Sequence, residues 1–316
     1  MLFNLGGPDS LAAVRPFLYN LFSDPDIFRF PLAFITQKLF AWLISRRRAH
    51  EATKGYAAIG GKSPLLENTQ AQAIALQLAL GNAALDVYVC MRYWHPLTKE
   101  VVTELKQKGY EQLILLPLYP QYSITTTGSS YNEFQRECRR QRYQPAMQLV
   151  PPWYAHPDYQ RAIVECLGAE LKKFPDPNPV HTQVLFSAHG LPQKIVDGGD
   201  PYADQIRATY ESVRAQLGWP HTTLCFQSRV GPLEWLRPYT EDVVREKAAA
   251  GAKQILVYPI AFVSDHSETL YELGMTYANL ARDLGVAHYR VTPALNDHPL
   301  LIRALKQLVL EAVGKP

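Results

Sequence analysis

Cysteine is scarce in this 316-residue chain, which contains only Cys90, Cys138, Cys166 and Cys225. The four are far apart, and none forms the C-x-x-C spacing that is typical of zinc and iron–sulfur motifs. Widely separated free thiols are typical of a protein in a reducing compartment. We therefore expect no iron–sulfur cluster.

The chain also lacks an excess of charge and a long hydrophobic run. Its 32 Lys and Arg against 29 Asp and Glu give a formal net charge of +3, and no basic stripe interleaves with aromatics, so nucleic-acid binding is not predicted. No uninterrupted apolar run reaches the roughly 18 residues of a membrane span. Met1 is not followed by the basic head and apolar stretch of a signal peptide. We expect a cytoplasmic protein.

Short apolar runs alternate with helical patterns from end to end, which predicts parallel sheets with helices on both faces. Helical patterns include 65–80, 96–109 and 202–218. The predicted strands lie near 2–5, 86–92, 112–118, 146–150, 182–187, 222–227, 254–260 and 286–292.

These strands fall into two sets of four, separated by the Pro-rich segment "PPWYAHPD" at 151–158. The pattern predicts two similar doubly wound α/β domains, 1–150 and 151–316, around a cleft. The last helical pattern, 298–313, is free to pack back onto the first domain.

In such sheets ligands bind at the carboxyl ends of the strands. The loops predicted there are "NLGGPDS", "MRYWHP", "YPQYSITTTGSS", "SAHGLP", "QSRVGP" and "FVSDHSETL". The first lacks the spacing of a nucleotide-binding motif, so a tight turn is favoured over a phosphate site.

The acidic loop places Asp265, His266, Glu268 and Glu272 directly after a buried strand. Asp265 and Glu268 have the spacing of a helix-capping box, which alone favours a structural role. Against this, Glu268 and Glu272 share one helix face, where like charges repel. His189 is predicted at the same edge of the same sheet. Histidine with carboxylates suits a loosely held divalent metal or proton transfer.

Aromatic side chains follow the second and third strands. Tyr93, Trp94, Tyr119 and Tyr122 accompany Arg92 at this edge. Aromatic walls with few cations suit a large, flat, apolar molecule that carries carboxylates. For Trp94 and Tyr119, burial in the core is the favoured interpretation.

The segment 31–48, "PLAFITQKLFAWLISRRR", is the longest apolar stretch, interrupted in the middle and closed by three arginines. A buried helix with a basic end explains it. A hydrophobic lip that contacts a bilayer surface also explains it, and one helix can do both.

Seven segments, in order over nearly the whole chain, resemble the ferrochelatase family: "LFNLGGPDS", "IGGKSP", "MRYWHP", "PLYPQYSITTTGSS", "FSAHGLP", "FQSRVGPLEWLRP" and "PIAFVSDHSETLYEL". The resemblance is closest to the proteobacterial members. It implies two chelatase domains around a cleft, and insertion of ferrous iron into protoporphyrin IX to form protohaem. Iron is then a substrate, and no tightly bound cofactor is expected.

The resemblance also implies roles for individual residues. His189 matches the family's histidine that accepts pyrrole protons, and Glu268 matches the glutamate that handles iron or the outgoing proton. His266 matches a further pocket residue. Asp265 and Glu272 continue an acidic route outward.

The first domain contributes matches to the porphyrin pocket at Leu5, Arg92, Tyr93, Tyr122 and Ser123. Coproporphyrin-using members place Tyr where this chain has Leu5, so the leucine favours protoporphyrin. The resemblance also supports the lip of 31–48 and a peripheral membrane position.

Three alternatives remain. One is a coproporphyrin III ferrochelatase, and a second is a cobalt chelatase, whose members pair two histidines differently. The third is a non-catalytic porphyrin or haem carrier, which needs the aromatic walls but not both His189 and Glu268.

Overall fold

The structure is a computed structural model that describes residues 1–28, 33–81, 84–176 and 181–314; of 33–35 it describes the backbone only. The chain divides into two compact units. The first comprises Met1–Pro152 with Leu305–Pro316, and the second comprises Trp153–Ala304. Each unit is built on one parallel sheet.

The first sheet has four strands, β1 Leu2–Asn4, β2 Val89–Met91, β3 Gln112–Pro117 and β4 Ala146–Leu149. Their order is β2-β1-β3-β4, and every neighbouring pair is parallel. Leu2 lies beside Val89 on one side and Leu116 on the other.

The second sheet has four strands, β5 Thr182–His189, β6 Thr222–Gln227, β7 Gln254–Tyr258 and β8 His288–Val291. Their order, β6-β5-β7-β8, repeats that of the first sheet, and all pairs are parallel. All five residues of β7 are buried, as expected for a central parallel strand covered on both faces.

Within the described residues, a short 3-10 helix, Leu11–Ala13, eleven α-helices and two π-helices accompany these strands. The π-helices, Ile124–Gly128 and Glu268–Tyr277, follow β3 and β7. The α-helices are α1 Val14–Phe22, α2 Ala33–Ala58, α3 Leu65–Leu80, α4 Thr98–Lys108, α5 Ser129–Arg140, α6 Pro157–Leu171, α7 Gln193–Asp197, α8 Tyr202–Leu217, α9 Thr240–Ala249, α10 Ala278–Asp283 and α11 Pro299–Ala312.

The predicted α/β class and all eight predicted strands are confirmed. The strand predicted at 86–92 is shortened to β2 because the residues before it are held by α3. The N–H of Val87 donates to Oε1 of Gln77 at 2.8 Å. The helix predicted at 65–80 coincides with α3.

The predicted apolar segment 31–48 falls mostly within α2. Its residues 31 and 32 lie outside the described residues. Among the helices that the structure describes, none is long and apolar enough to cross a membrane.

The two units repeat their local geometry at the first strand of each sheet. A backbone N–H after β3 donates to the carbonyl of Phe3, and one after β7 donates to the carbonyl of Ser187. Leu5 lies two residues after Phe3, and His189 lies two residues after Ser187. The second unit therefore carries an imidazole where the first carries an apolar side chain.

Candidate active site

The strand ends of the second unit position the polar side chains of the candidate site. β5 ends at His189 and β6 ends at Gln227, and these residues are neighbours in the sheet. A Cβ atom on Gly190 would lie 2.9 Å from the carbonyl oxygen of Gln227. Glycine is therefore required after His189 for the two backbones to approach.

His189 and Glu268 are in direct contact, although 79 residues separate them. Nδ1 of the imidazole lies 2.8 Å from Oε2 of the carboxylate. The side chains are 35% and 23% exposed, so a ligand can reach both. Trp235 and Phe262 flank the imidazole, with ring centres 6.4 and 6.3 Å from its own. The structure thus brings together the two residues predicted to carry the chemistry.

Ser228 links Glu268 to Glu272. Its hydroxyl lies 3.0 Å from Oε2 of Glu268 and 2.6 Å from Oε2 of Glu272, and its N–H donates to Glu272 at 3.1 Å. A hydroxyl carries one proton, so it donates to one carboxylate at a time. Ser228 has φ +66°, a strained conformation for a residue other than glycine. Its role escaped prediction because nothing in "QSRVGP" marks this serine for a left-handed conformation.

The remaining contacts of the two glutamates complete the cluster. Nε2 of Gln227 donates to Glu268 at 3.4 Å, and the hydroxyl of Tyr277 donates to Glu272 at 3.1 Å. His266 is buried, with Nε2 3.9 Å from Oε1 of Glu268 and Nδ1 3.1 Å from the carbonyl of Ser264. Of the predicted residues, His189, His266, Glu268 and Glu272 therefore belong to one cluster.

The charges of this cluster move the pKa values of its members in opposite directions. Burial acts to lower the pKa of His189, but the charge and hydrogen bond of Glu268, with Glu272 adding, leave it raised above 6.5. Burial acts to raise the pKa of Glu268, but the charge and hydrogen bond of His189 bring it from 4.5 to about 2. Burial and the charge of Glu268 raise the pKa of Glu272. The contact therefore favours the charged form of the pair, an imidazolium beside a carboxylate.

The pKa values of the two histidines shift in opposite directions for a physical reason. Burial lowers the pKa of His266, and the charge of Glu268 does not offset this. His189 has the closer carboxylate, at 2.8 Å rather than 3.9 Å. The charge of Glu268 therefore favours the imidazolium form of His189, whereas burial favours the neutral form of His266.

Asp265 holds the start of the π-helix. Its carboxylate accepts hydrogen bonds from the Thr269 hydroxyl at 2.8 Å, from Nδ2 of Asn296 at 2.8 Å and from the N–H of Ala294 at 3.2 Å. The capping box considered from the sequence does not form, because the N–H of Asp265 donates to Asn296 and Glu268 bonds to His189.

The predicted pocket residues of the first unit lie around the ends of β1, β2 and β3. Leu5 is half-buried and packs against the cluster of α1 and α2. Arg92 and Tyr93 both bond to Asp24, at 2.9 and 2.5 Å. Asp24 escaped prediction because no motif marks it.

Two further predicted residues of that unit lie after β3. The buried Ser123 caps the first π-helix by accepting from the N–H of Thr125 at 3.1 Å. Tyr122 beside it is half-buried.

The metal ligands that this cluster offers suit an ion that is bound weakly and then released. Across the part of the chain that the structure describes, no three His, Cys, Asp or Glu side chains form a metal-holding group. His189 and Glu268 offer one imidazole and one carboxylate, whereas a closed structural site has about four ligands. Such a pair can guide a divalent ion without retaining it.

Comparison with solved structures identifies the fold. SirB from Bacillus subtilis with Fe3+ superposes with a TM-score of 0.54 at 12% identity, covering 77% of this chain and 88% of that one. CbiX, the terminal enzyme of siroheme biosynthesis in denitrifying bacteria, gives 0.52 at 14% identity, covering 79% and 93%. These similarities confirm the two-domain chelatase fold.

Comparison of sequences identifies the family. The ferrochelatase family model matches residues 1–313. Ferrochelatases from Cyanothece sp., Synechocystis sp. and Nostoc punctiforme are 47%, 46% and 45% identical, each covering all of this chain and 82% of the relative. These relatives are cyanobacterial, and the proteobacterial resemblance stays a prediction. The match over almost the entire chain shows that this protein belongs to the ferrochelatase family.

Proposed function

We infer that this protein is a lyase that inserts ferrous iron into protoporphyrin to make haem. Its membership of the ferrochelatase family over almost the full chain supports this. The structural observation that carries it is the contact between His189 and Glu268, because metal insertion needs a proton acceptor and a metal-guiding carboxylate close together. Iron is the substrate in this reaction, and we propose no resident cofactor.

The reaction requires a group that accepts protons and a group that guides the iron. Two pyrrole N–H protons occupy the hole of the porphyrin, and both leave as four Fe–N bonds form. We propose that His189 accepts these protons one after the other, releasing the first before it takes the second, and that Glu268 guides the iron or the outgoing proton. His266 lines the same site.

The charge state of the pair adds a step before insertion. An imidazolium cannot accept a proton, so His189 must first lose any proton that the charge of Glu268 stabilises. Ser228 lies within hydrogen-bond distance of both Glu268 and Glu272. We propose that the proton passes from His189 to Glu268 and then through Ser228 to Glu272, whose raised pKa favours protonation. Asp265 anchors the π-helix that carries both glutamates.

An insertion assay tests the proposed function. The protein is incubated anaerobically with ferrous iron and protoporphyrin IX, and free-porphyrin fluorescence is followed together with haem absorbance. We expect fluorescence to fall as haem forms in equal amount. Porphyrin binding without haem formation would identify a carrier instead.

We expect protoporphyrin IX to be used in preference to coproporphyrin III. Leu5 packs in an apolar cluster, where extra propionates without partners are costly to bury. The measurement is kcat/KM for each porphyrin under the same conditions. Equal or better use of coproporphyrin III contradicts this preference.

We propose that α2 provides a peripheral membrane contact. Leu39, Phe40, Trp42 and Leu43 are exposed on it, each by 38% or more of its surface. Arg15 and Arg46 each lie 5.6 Å from the centre of the Trp42 ring. Apolar side chains beside guanidinium groups are typical of helices that lie in the bilayer interface.

Removing part of this apolar surface is expected to release the protein from liposomes. An apolar contact survives salt, so the parent should float with vesicles in high salt while Trp42→Ser/Leu43→Ser should not. Ile74→Ser/Leu78→Ser, which alters two exposed side chains of α3, is the matched control. Equal flotation of parent and Trp42→Ser/Leu43→Ser contradicts the proposed contact.

A further inference from the structure

Asp24 is a buried carboxylate of the first unit, only 1% exposed. Its Oδ2 accepts from Tyr93 at 2.5 Å and from the hydroxyl of Ser129, and it pairs with Nη2 of Arg92 at 2.9 Å. Its Oδ1 accepts the N–H of Asp26 at 2.9 Å. Asp24 therefore ties the turn after α1 to the end of β2 and to the start of α5.

Arg92 is the counter-charge in this network. Its Nε donates to Ser129 at 2.8 Å, and its guanidinium lies 4.9 Å from the centre of the Tyr93 ring. Its side chain is 10% exposed, and that of Asp24 is 0% exposed. A second carboxylate, that of Glu133, lies 4.0 Å away. The positive charge of Arg92 is thus compensated inside the protein before any ligand binds.

We propose that Asp24 is a specificity-determining residue that masks the charge of Arg92. Arg92 follows β2 directly, at the carboxyl edge where sheets of this kind bind ligands. With the charge masked, this edge offers a nearly neutral wall to the substrate. The inference rests on the proposed function, since it concerns which porphyrin is used.

The two porphyrins differ in the number of carboxylates that they present to this edge of the sheet. Protoporphyrin IX carries two vinyl groups where coproporphyrin III carries two further propionates. A guanidinium without a partner attracts carboxylates, whereas one already paired with Asp24 does not. The pairing of Arg92 with Asp24 therefore disfavours coproporphyrin III, which carries four carboxylates. The protein discriminates between the two porphyrins because Arg92 does not attract the two further propionates.

Asp24→Asn keeps the size of the side chain and removes its charge. The ratio of kcat/KM for coproporphyrin III to that for protoporphyrin IX is expected to rise about tenfold, the effect of one charge-assisted hydrogen bond. A purely structural role would lower both values together and leave the ratio unchanged.

Asp26→Asn is the matched control. It removes the same charge two residues along the same turn, but from a carboxylate that pairs with Arg136 at 3.0 Å and accepts from Asn132. The ratio is expected to stay at the parent value. An equal rise in Asp26→Asn overturns the proposal, because the effect would then not depend on Arg92.

Two further variants keep the test decisive. Adding Arg92→Gln to Asp24→Asn removes the unmasked cation and should return the ratio to the parent value. Glu133→Gln, at a position 19% exposed, should raise the ratio by about twofold even if Asp24→Asn does not fold. An unchanged ratio in every variant that folds, or a rise that persists without Arg92, overturns the proposal.

The outcome is separable from that of the proposed function. If the parent does not insert iron into protoporphyrin, the proposed function fails. If the parent inserts iron and Asp24→Asn has the same ratio as Asp26→Asn, only the role of Asp24 fails.

Discussion

His189→Ala is expected to lower the rate of iron insertion by about 10²–10⁴-fold, the usual contribution of a positioned general base. Porphyrin binding should stay near the parent value, because Trp235 and Phe262 beside the imidazole are retained. Porphyrin fluorescence measures binding, and anaerobic haem formation measures insertion.

His181→Ala is the control for this substitution. His181 is an exposed histidine of the same unit whose Nδ1 lies 2.9 Å from Asp176. It should insert iron at the parent rate. If His189→Ala also inserts iron at nearly the parent rate, His189 has a structural role and the carrier alternative stands.

Glu268→Gln is expected to produce a comparable loss of insertion and to move the pH profile. In the parent, insertion should increase as pH rises through the apparent pKa of the pair, which lies above 6.5, because a neutral imidazole is required. The substitution removes the charge that raises the pKa of His189, while burial, which lowers that pKa, remains. The rise in kcat/KM should therefore occur at lower pH in the variant. The measurement is kcat/KM against pH for both proteins.

The competing interpretation of Glu268 is purely structural. In that case Glu268→Gln costs about 1 kcal/mol or less of the free energy of unfolding and leaves turnover normal. Glu241→Gln, at an exposed glutamate of α9 paired with Arg245, controls for loss of a carboxylate. A pH profile for Glu268→Gln that coincides with that of the parent contradicts the link between Glu268 and His189.

The sheets could be predicted because their signals are local. The β7 prediction, near 254–260, depends on an apolar run that burial on both faces requires. Strand ends depend on contacts outside the strand, since β2 is shortened by a contact from Gln77 to Val87 that no local pattern contains. Gly218, in the left-handed conformation, ends α8 one residue before the predicted limit.

The residues of the candidate site likewise include some that the sequence predicts and some that only the fold identifies. His189 ends one buried strand and Glu268 lies in the segment after another, so the rule for parallel sheets places both at one edge. Ser228 was not predicted because its importance depends on a left-handed backbone and on two carboxylates from another segment. Asp24 was not predicted because its partners lie 69 and 105 residues away in the chain.

The sequence by itself determined the α/β class, the family resemblance and the positions of His189 and Glu268, since these depend on residue type and order. Only the tertiary structure decided how those residues are charged. A pKa depends on burial and on charges within a few ångströms, and these come from distant segments. The 2.8 Å contact with Glu268 raises the pKa of His189 and favours its imidazolium form, whereas the sequence alone suggests an ordinary imidazole. The same reason explains Arg92, which the sequence presents only as a cation beside aromatic side chains and which the fold pairs with Asp24.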